Sequence, residues 1–106
     1  MMDLDRRGGR RTQARLFCNL YIDGFPHLSE ALEVSMTGAL VRRVLGPDVD
    51  RAVYALEVGV GGDDSVWLCA SPVWRKGPFE AVQFVAQTLA DRLKLASLLS
   101  TLRAPS

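Results

Sequence analysis

The sequence predicts an α+β domain: a β-α-β-β-α-β ferredoxin-like sandwich, with a four-stranded antiparallel sheet and two helices on one face. Three observations predict it. A chain of 106 residues can form one hydrophobic core and is too short for two. Its apolar residues recur at strand and helix periods in that order, and glycine- or proline-containing breaks separate the segments. The ferredoxin-like plan is the simplest closed arrangement of such elements.

A flexible, arginine-rich leader is expected over residues 1–14, before a single α+β domain over residues 15–103. The leader is polar and carries a local excess of positive charge, at Arg6, Arg7, Arg10 and Arg11. Residues 15–22 alternate as a half-buried strand does. One predicted face carries Leu16, Cys18, Leu20 and Ile22, and the other carries Arg15, Phe17, Asn19 and Tyr21.

Two helices are predicted, the first from Pro26 to about Leu45 and the second from Phe79 to about Leu95. In the first, apolar residues recur every four positions, at Leu28, Leu32, Met36, Leu40 and Val44. Strands over residues 51–60 and 65–73 form a hairpin between the helices. Residues 97–103 are expected to form a short last strand, although the same residues could extend the second helix.

Composition argues against several classes of function. The formal net charge of +1 gives no overall attraction to nucleic acid or to an anionic membrane. Two separated cysteines and one histidine are too few for a standard zinc site, so neither a metal nor another cofactor is expected. No apolar run reaches the length of a membrane span, and the start lacks a signal peptide's apolar core. We therefore expect a cytoplasmic protein.

An apolar second sheet face is the most informative feature of the pattern. In the ferredoxin-like plan, strands one and three are central and the helices cover only one face, so the other face should be polar. Instead it carries Phe17, Tyr21 and Trp67. A soluble monomer seldom exposes such a patch, so these residues are predicted to form an interface with a second copy or a protein partner. Alternatively, the strands curl or the leader folds back across the sheet.

Other candidate sites have weaker support. His27 could act as a general base, but no nucleophile has a spacing that pairs with it, and an exposed turn residue is favoured. Asp23, Asp63 and Asp64 are predicted at one end of the sheet, where they could bind a hard cation or simply form turns. Arg75, Lys76 and Gly77 precede the second predicted helix and could bind an anion at its N-terminus.

Three functions are compatible with these features. The favoured one is a small non-enzymatic interaction or assembly module that dimerises or binds a partner through Phe17, Tyr21 and Trp67. The second is a small dimeric ferredoxin-like enzyme for an apolar or aromatic substrate, with His27, Tyr54 and Trp67 as residues to test. The third is RNA binding, because residues 16–20 resemble the first-strand signature of RNA-recognition motifs. Nothing matches that family's second signature, so nucleic acid is an unlikely partner.

Overall fold

The computed structural model describes residues 12–45, 51–61 and 64–103, and within them six antiparallel strands close into a barrel. Around the barrel the strand order is β1-β2-β3-β6-β5-β4, and a helix, α1, follows the last strand. The elements are β1 (Thr12–Ile22), β2 (Phe25–Val34), β3 (Gly38–Arg43), β4 (Tyr54–Gly61), β5 (Asp64–Lys76), β6 (Phe79–Val85) and α1 (Leu89–Arg103).

The ferredoxin-like prediction is therefore wrong. The segment predicted as the first helix forms the hairpin of β2 and β3, and the second predicted helix begins as strand β6. Residues 97–103 belong to α1, so the predicted last strand is wrong and its stated alternative, a helix, is correct. The predicted hairpin between the helices corresponds to β4 and β5, which pair antiparallel. Most of the predicted leader, residues 1–11, lies outside the described residues, and β1 begins at Thr12.

The first helix was mispredicted because a repeat of four residues is also a multiple of two. Residues spaced by four share one face of a strand as well as one face of a helix. The apolar residues that predicted the helix, from Leu28 to Val44, are half-buried or exposed. The interior instead receives small side chains, those of Ser29, Ala31 and Ala39. A small barrel is narrow, so small residues pointing inward are the more telling pattern.

Asp23 and Gly24 form the turn that joins β1 to β2. Both have positive φ angles, 53° and 87°, and the flanking residues Ile22 and Phe25 pair with each other. This is the geometry of a two-residue type I′ hairpin, for which Asp-Gly is a preferred sequence. The dipeptide therefore starts a hairpin where the sequence analysis had placed the approach to a helix.

Helix α1 closes one end of the barrel. Leu95, Leu98 and Leu99 are buried in the same apolar cluster as the inward residues of the strands. Thr88 caps the helix, because its Oγ1 accepts a hydrogen bond from the Asp91 backbone N–H at 3.1 Å. The spacing Thr88-x-x-Asp91 is close to that of a capping box, a signal that would have placed the helix start here.

The opposite end of the barrel contains a buried ion pair. Arg43 Nη2 lies 3.2 Å from Glu80 Oε1, and both side chains are almost fully buried. The Arg43 guanidinium carbon also lies 5.8 Å from the centre of the Tyr54 ring. Burial, reinforced by the neighbouring Glu80, raises the pKa of the Tyr54 hydroxyl above its usual value. Two charges and a phenol thus occupy an interior that is mostly apolar.

The first prediction concerns this ion pair. Replacing Arg43 by methionine leaves the Glu80 carboxylate buried without its partner, which should lower the free energy of unfolding by about 3–5 kcal/mol. The double variant Arg43→Met/Glu80→Leu removes both charges and should recover most of that loss. Urea-induced unfolding measures both effects. Additive losses in the double variant would show that the two side chains are not coupled.

The second prediction concerns the two cysteines, which face opposite sides of the barrel wall. Cys18 is buried and Cys69 is exposed, and burial raises the pKa of the Cys18 thiol to about 12. At pH 8 only roughly one Cys18 in ten thousand would be a thiolate, the reactive form. A thiol reagent should therefore modify one cysteine in the folded protein and two after unfolding. The Cys69→Ser variant should show no fast reaction, and rapid modification of that variant would contradict a buried Cys18.

Candidate functional site

A groove of about 620 Å³ lies on the outside of the barrel, between α1 and the first three strands. We call it the helix-side groove, and it is lined by Gln13, Arg15, Leu32, Glu33, Leu40 and Leu102. The three leucines provide an apolar surface, while the other residues supply a cation, an anion and an amide. Such a combination of apolar surface and a few polar groups is typical of small-molecule sites.

Two irregularities in the strands shape this groove. The pairing of β1 with β2 shifts between Gln13 and Leu16, and the pairing of β2 with β3 shifts between Ala31 and Glu33. A β-bulge interrupts the alternation of side chains between the two faces of a strand. Consecutive residues, Leu32 and Glu33, can therefore both line the groove.

Glu30 forms two ion pairs next to the groove. Glu30 lies between Arg42, whose Nη2 is 2.7 Å from Glu30 Oε1, and Arg15, whose Nε is 3.9 Å from Glu30 Oε2. Within the groove, Gln13 Nε2 donates a hydrogen bond of 3.3 Å to Glu33 Oε2. The Arg15 side chain is 83% exposed, so its guanidinium is accessible to a ligand.

A tight turn beside the groove connects β2 to β3. The Ser35 N–H donates to the Gly38 carbonyl at 2.9 Å, and Ser35 Oγ accepts from the N–H groups of Thr37 and Gly38, each at 3.2 Å. Ser35 is fully buried, so its hydroxyl satisfies donors that would otherwise be without partners. The side chain thus fixes the shape of this turn.

The arginine-rich part of the sequence joins the barrel next to the same turn. Thr12, the first residue of β1, pairs with Val34, the last residue of β2 and the neighbour of Ser35. Residues 6–11 contain four arginines and precede Thr12 directly in the sequence. The strand register therefore places Thr12, the residue that follows this basic segment in the sequence, beside Gln13 of the groove lining.

The structure brings the predicted interface residues Phe17, Tyr21 and Trp67 to one outward surface. Phe17 is 64% and Trp67 44% exposed, and the rings of Tyr21 and Trp67 have centroids 5.0 Å apart. The ferredoxin-like plan required the strands of these residues to be neighbours. In the barrel β1 and β5 are separated by β4. We call this surface, with Glu57 of β4, the aromatic face. Its role as an interface remains a prediction.

Glu57 lies among these aromatic residues. Its Oε1 accepts hydrogen bonds from Tyr21 Oη at 3.2 Å and from Asn19 Nδ2 at 3.3 Å, and its Oε2 accepts one from Ser65 Oγ at 3.1 Å. Glu57 was not predicted as a site residue, because the side-by-side position of β1 and β4 follows only from barrel closure. A depression of about 290 Å³ adjoins it, lined in part by Phe17 and Gly59.

The predicted anion site lies in a different context. Arg75 and Lys76 end β5, and Gly77 lies in the turn to β6, so the helix whose N-terminus was to hold the anion is absent. That premise is wrong because Phe79–Val85 is a strand. Anion binding at these residues stays a prediction, supported only by the two cationic side chains.

The acidic residues predicted as a possible cation site do not come together. Asp23 and Asp64 lie at opposite ends of the barrel, where they pair with Arg51 at 2.6 Å and Lys94 at 2.9 Å. Asp63 lies outside the described residues. No group of three potential metal ligands occurs in the described ranges.

The three residues proposed for an enzyme also lie apart. Tyr54 faces the barrel interior and Trp67 the outside, while His27 is a half-buried residue of β2. The enzymatic alternative placed them around a pocket between a sheet and two helices. Because the fold is a barrel, that pocket does not exist among the described elements.

Comparisons with known proteins identify the fold. A crystal structure of the PilZ domain of CeSA from a cellulose-synthesizing bacterium is similar, with a TM-score of 0.71. The similarity covers 91% of this chain and 100% of that chain. The fold resembles that of a PilZ domain. Sequence identity is 16%, so the PilZ likeness concerns the fold alone. No family model matches the sequence, and no curated protein matches it. No helix among the described residues is long and apolar enough to span a membrane.

The third prediction compares two serines that are equally buried but differently bonded. Ser35→Ala removes the acceptor of two backbone N–H groups and should lower the free energy of unfolding by about 1–3 kcal/mol. Ser29 is the matched control, because its Oγ has no hydrogen-bond partner among the described residues. Ser29→Ala should therefore be neutral or stabilising. Equal losses in the two variants, measured by thermal unfolding, would contradict the role given to Ser35.

Proposed function

We propose that this chain is a non-enzymatic regulatory module that binds c-di-GMP, or a closely related cyclic dinucleotide, in the helix-side groove. One observation carries the proposal: Thr12, which directly follows four arginines in the sequence, is paired in the barrel beside a groove that is both apolar and polar. The likeness to a PilZ domain, a kind of c-di-GMP-binding regulatory module, supports the same ligand class.

Arginine is well suited to the phosphates of such a ligand. Its planar guanidinium forms paired, charge-assisted hydrogen bonds with phosphate oxygens. Consecutive Cα atoms are about 3.8 Å apart, so Arg10 and Arg11 are tethered within about 8 Å of Thr12 in any conformation. They can therefore reach a phosphate placed at the open edge of the groove, where Arg15 supplies a further guanidinium.

The groove also offers the groups that a guanine base requires. Leu32, Leu40 and Leu102 present an apolar surface on which a flat base can pack. The Watson–Crick edge of guanine carries two adjacent N–H donors. A carboxylate such as that of Glu33 can accept a hydrogen bond from each of them. Adenine lacks that pair of donors, so Glu33 would favour guanine. Arginine contacts to guanine O6 and N7 are a common complement.

A second candidate, protein docking through the aromatic face, is favoured by the way the barrel brings Tyr21 and Trp67 into contact. The two functions are compatible, because a regulatory module that binds a ligand also needs a surface through which it contacts the protein it regulates.

The fourth prediction is tested by titrating the full chain with c-di-GMP in a calorimeter. We expect saturable binding. The affinity for c-di-GMP should fall about a hundredfold or more when four arginines are changed to glutamine, namely Arg6, Arg7, Arg10 and Arg11. Replacing Glu33 by glutamine should reduce the preference for c-di-GMP over c-di-AMP. Both effects follow from the charge and hydrogen-bonding roles given above.

Arg92→Gln is the matched control, because Arg92 is an exposed arginine on α1 outside the groove lining. It should bind c-di-GMP as tightly as the unmodified chain. An unmodified chain that gives no binding heat at 100-fold excess of c-di-GMP, or a four-glutamine variant that binds equally well, would overturn the proposal.

A further inference from the structure

The carboxylate of Glu57 is oriented but not neutralised. Its three hydrogen bonds come from a phenol, a carboxamide and a hydroxyl, which are all uncharged donors. The other acidic residue at the edge of the depression, Asp64, is paired with Lys94 at 2.9 Å. Among the described residues, Glu57 is therefore the acidic group of this face that has no cationic neighbour in hydrogen-bond contact.

The surroundings of Glu57 are suited to a cation. Trp67 and Tyr21 are held in contact at an interplanar angle of 45°, and Phe17 is largely exposed at the depression. Aromatic faces attract guanidinium and ammonium groups, and Trp and Tyr do so most strongly. The apolar stem of a lysine or arginine would cover the rings while its charged end approaches the carboxylate.

The depression is open at Gly59. A Cβ atom built at this glycine would meet no other atom within 4 Å, so the space above the backbone is empty. The volume of about 290 Å³ can accept one long side chain with part of its backbone. A bulky residue at position 59 would fill that space without disturbing the barrel.

We propose that the aromatic face binds an arginine or lysine side chain presented by a segment of a partner protein. Charge complementarity selects this occupant over a second copy of the chain. In a two-fold dimer both copies use the same surface, which would place one Glu57 carboxylate near the other. The surface is separate from the helix-side groove, so this proposal does not depend on nucleotide binding.

The fifth prediction is tested by nuclear magnetic resonance with the capped tripeptide Gly-Arg-Gly as the probe. The chain contains two tryptophans, both partly exposed: Trp67 on the aromatic face and Trp74 elsewhere on β5. The indole N–H signal of Trp67 should shift in a saturable way, while that of Trp74 should not. The same tripeptide with citrulline, which is neutral and nearly the same shape, should leave both signals in place.

Two variants test the mechanism. Glu57→Gln removes the charge. It retains one acceptor oxygen for Tyr21 and Asn19, and its amide N–H can donate to the Ser65 hydroxyl. It should weaken binding of the arginine tripeptide about fivefold. Gly59→Leu should block the depression and remove the Trp67 shift. Thermal unfolding should show that both variants are nearly as stable as the unmodified chain, since Gly59 is exposed and Glu57 is only half-buried.

Three results would overturn the proposal. One is an equal response to the arginine and citrulline peptides, and another is unchanged binding in Glu57→Gln. The third is movement of the Trp67 signal in the four-glutamine variant without peptide, which would identify the chain's own arginine-rich segment as the occupant. The first two outcomes leave the c-di-GMP proposal untouched, so the two proposals can fail separately.

Discussion

Closure of six strands into a barrel is the constraint on which the rest of this structure depends. A closed sheet has a narrow interior, and small inward residues such as Ala31 and Ala39 leave room there for larger ones such as Leu20 and Leu56. Other aromatic and leucine side chains lie at outward positions, where they form the helix-side groove and the aromatic face. The leucines of α1 close one end, so the outer surface can vary without loss of the core.

The buried pair of Arg43 and Glu80 places two opposite charges in a mostly apolar interior. An ion pair in a core contributes little net stability, because removing both charges from water offsets most of their attraction. We expect the pair to act on specificity instead, because a shifted register of β3 against β6 would separate the two charges in a medium of low polarity. Such a shift would also change the observed pairing of Val41 with Glu80.

Local pattern predicted some of this molecule well. The first strand and the hairpin of β4 and β5 were placed correctly, because alternation and glycine-rich turns are local signals. So was the outward position of Phe17, Tyr21 and Trp67 on one side of their strands. The prediction for the β2–β3 segment was wrong because apolar residues repeated every four positions suit a helix and a strand equally. Only the small inward residues and the Asp23-Gly24 turn distinguish the two structures. The hydrogen bonds from Tyr21 and Asn19 to Glu57 could not be predicted, and neither could the helix-side groove, since both depend on which strands barrel closure makes adjacent.

Strand β1 contributes residues to both the helix-side groove and the aromatic face. Its first residues border the helix-side groove, and its later outward residues belong to the aromatic face, with a bulge between them. The strand is paired with β2 along most of its length and with β4 over Cys18–Tyr21, so the same strand connects the two surfaces. Such a connection is short: Gln13 and Phe17 are four residues apart.

Barrel closure has one more consequence, for the way other proteins can approach. Each described strand is hydrogen-bonded to a neighbour on both sides over at least part of its length, so no described strand has a whole edge free. Extended peptides often attach to proteins by extending a sheet at a free edge. In this barrel such an addition is restricted to short strand ends, as is the edge-to-edge association that leads to aggregation. Recognition by the barrel wall therefore depends mainly on side chains, and single substitutions can change a partner while the backbone stays the same.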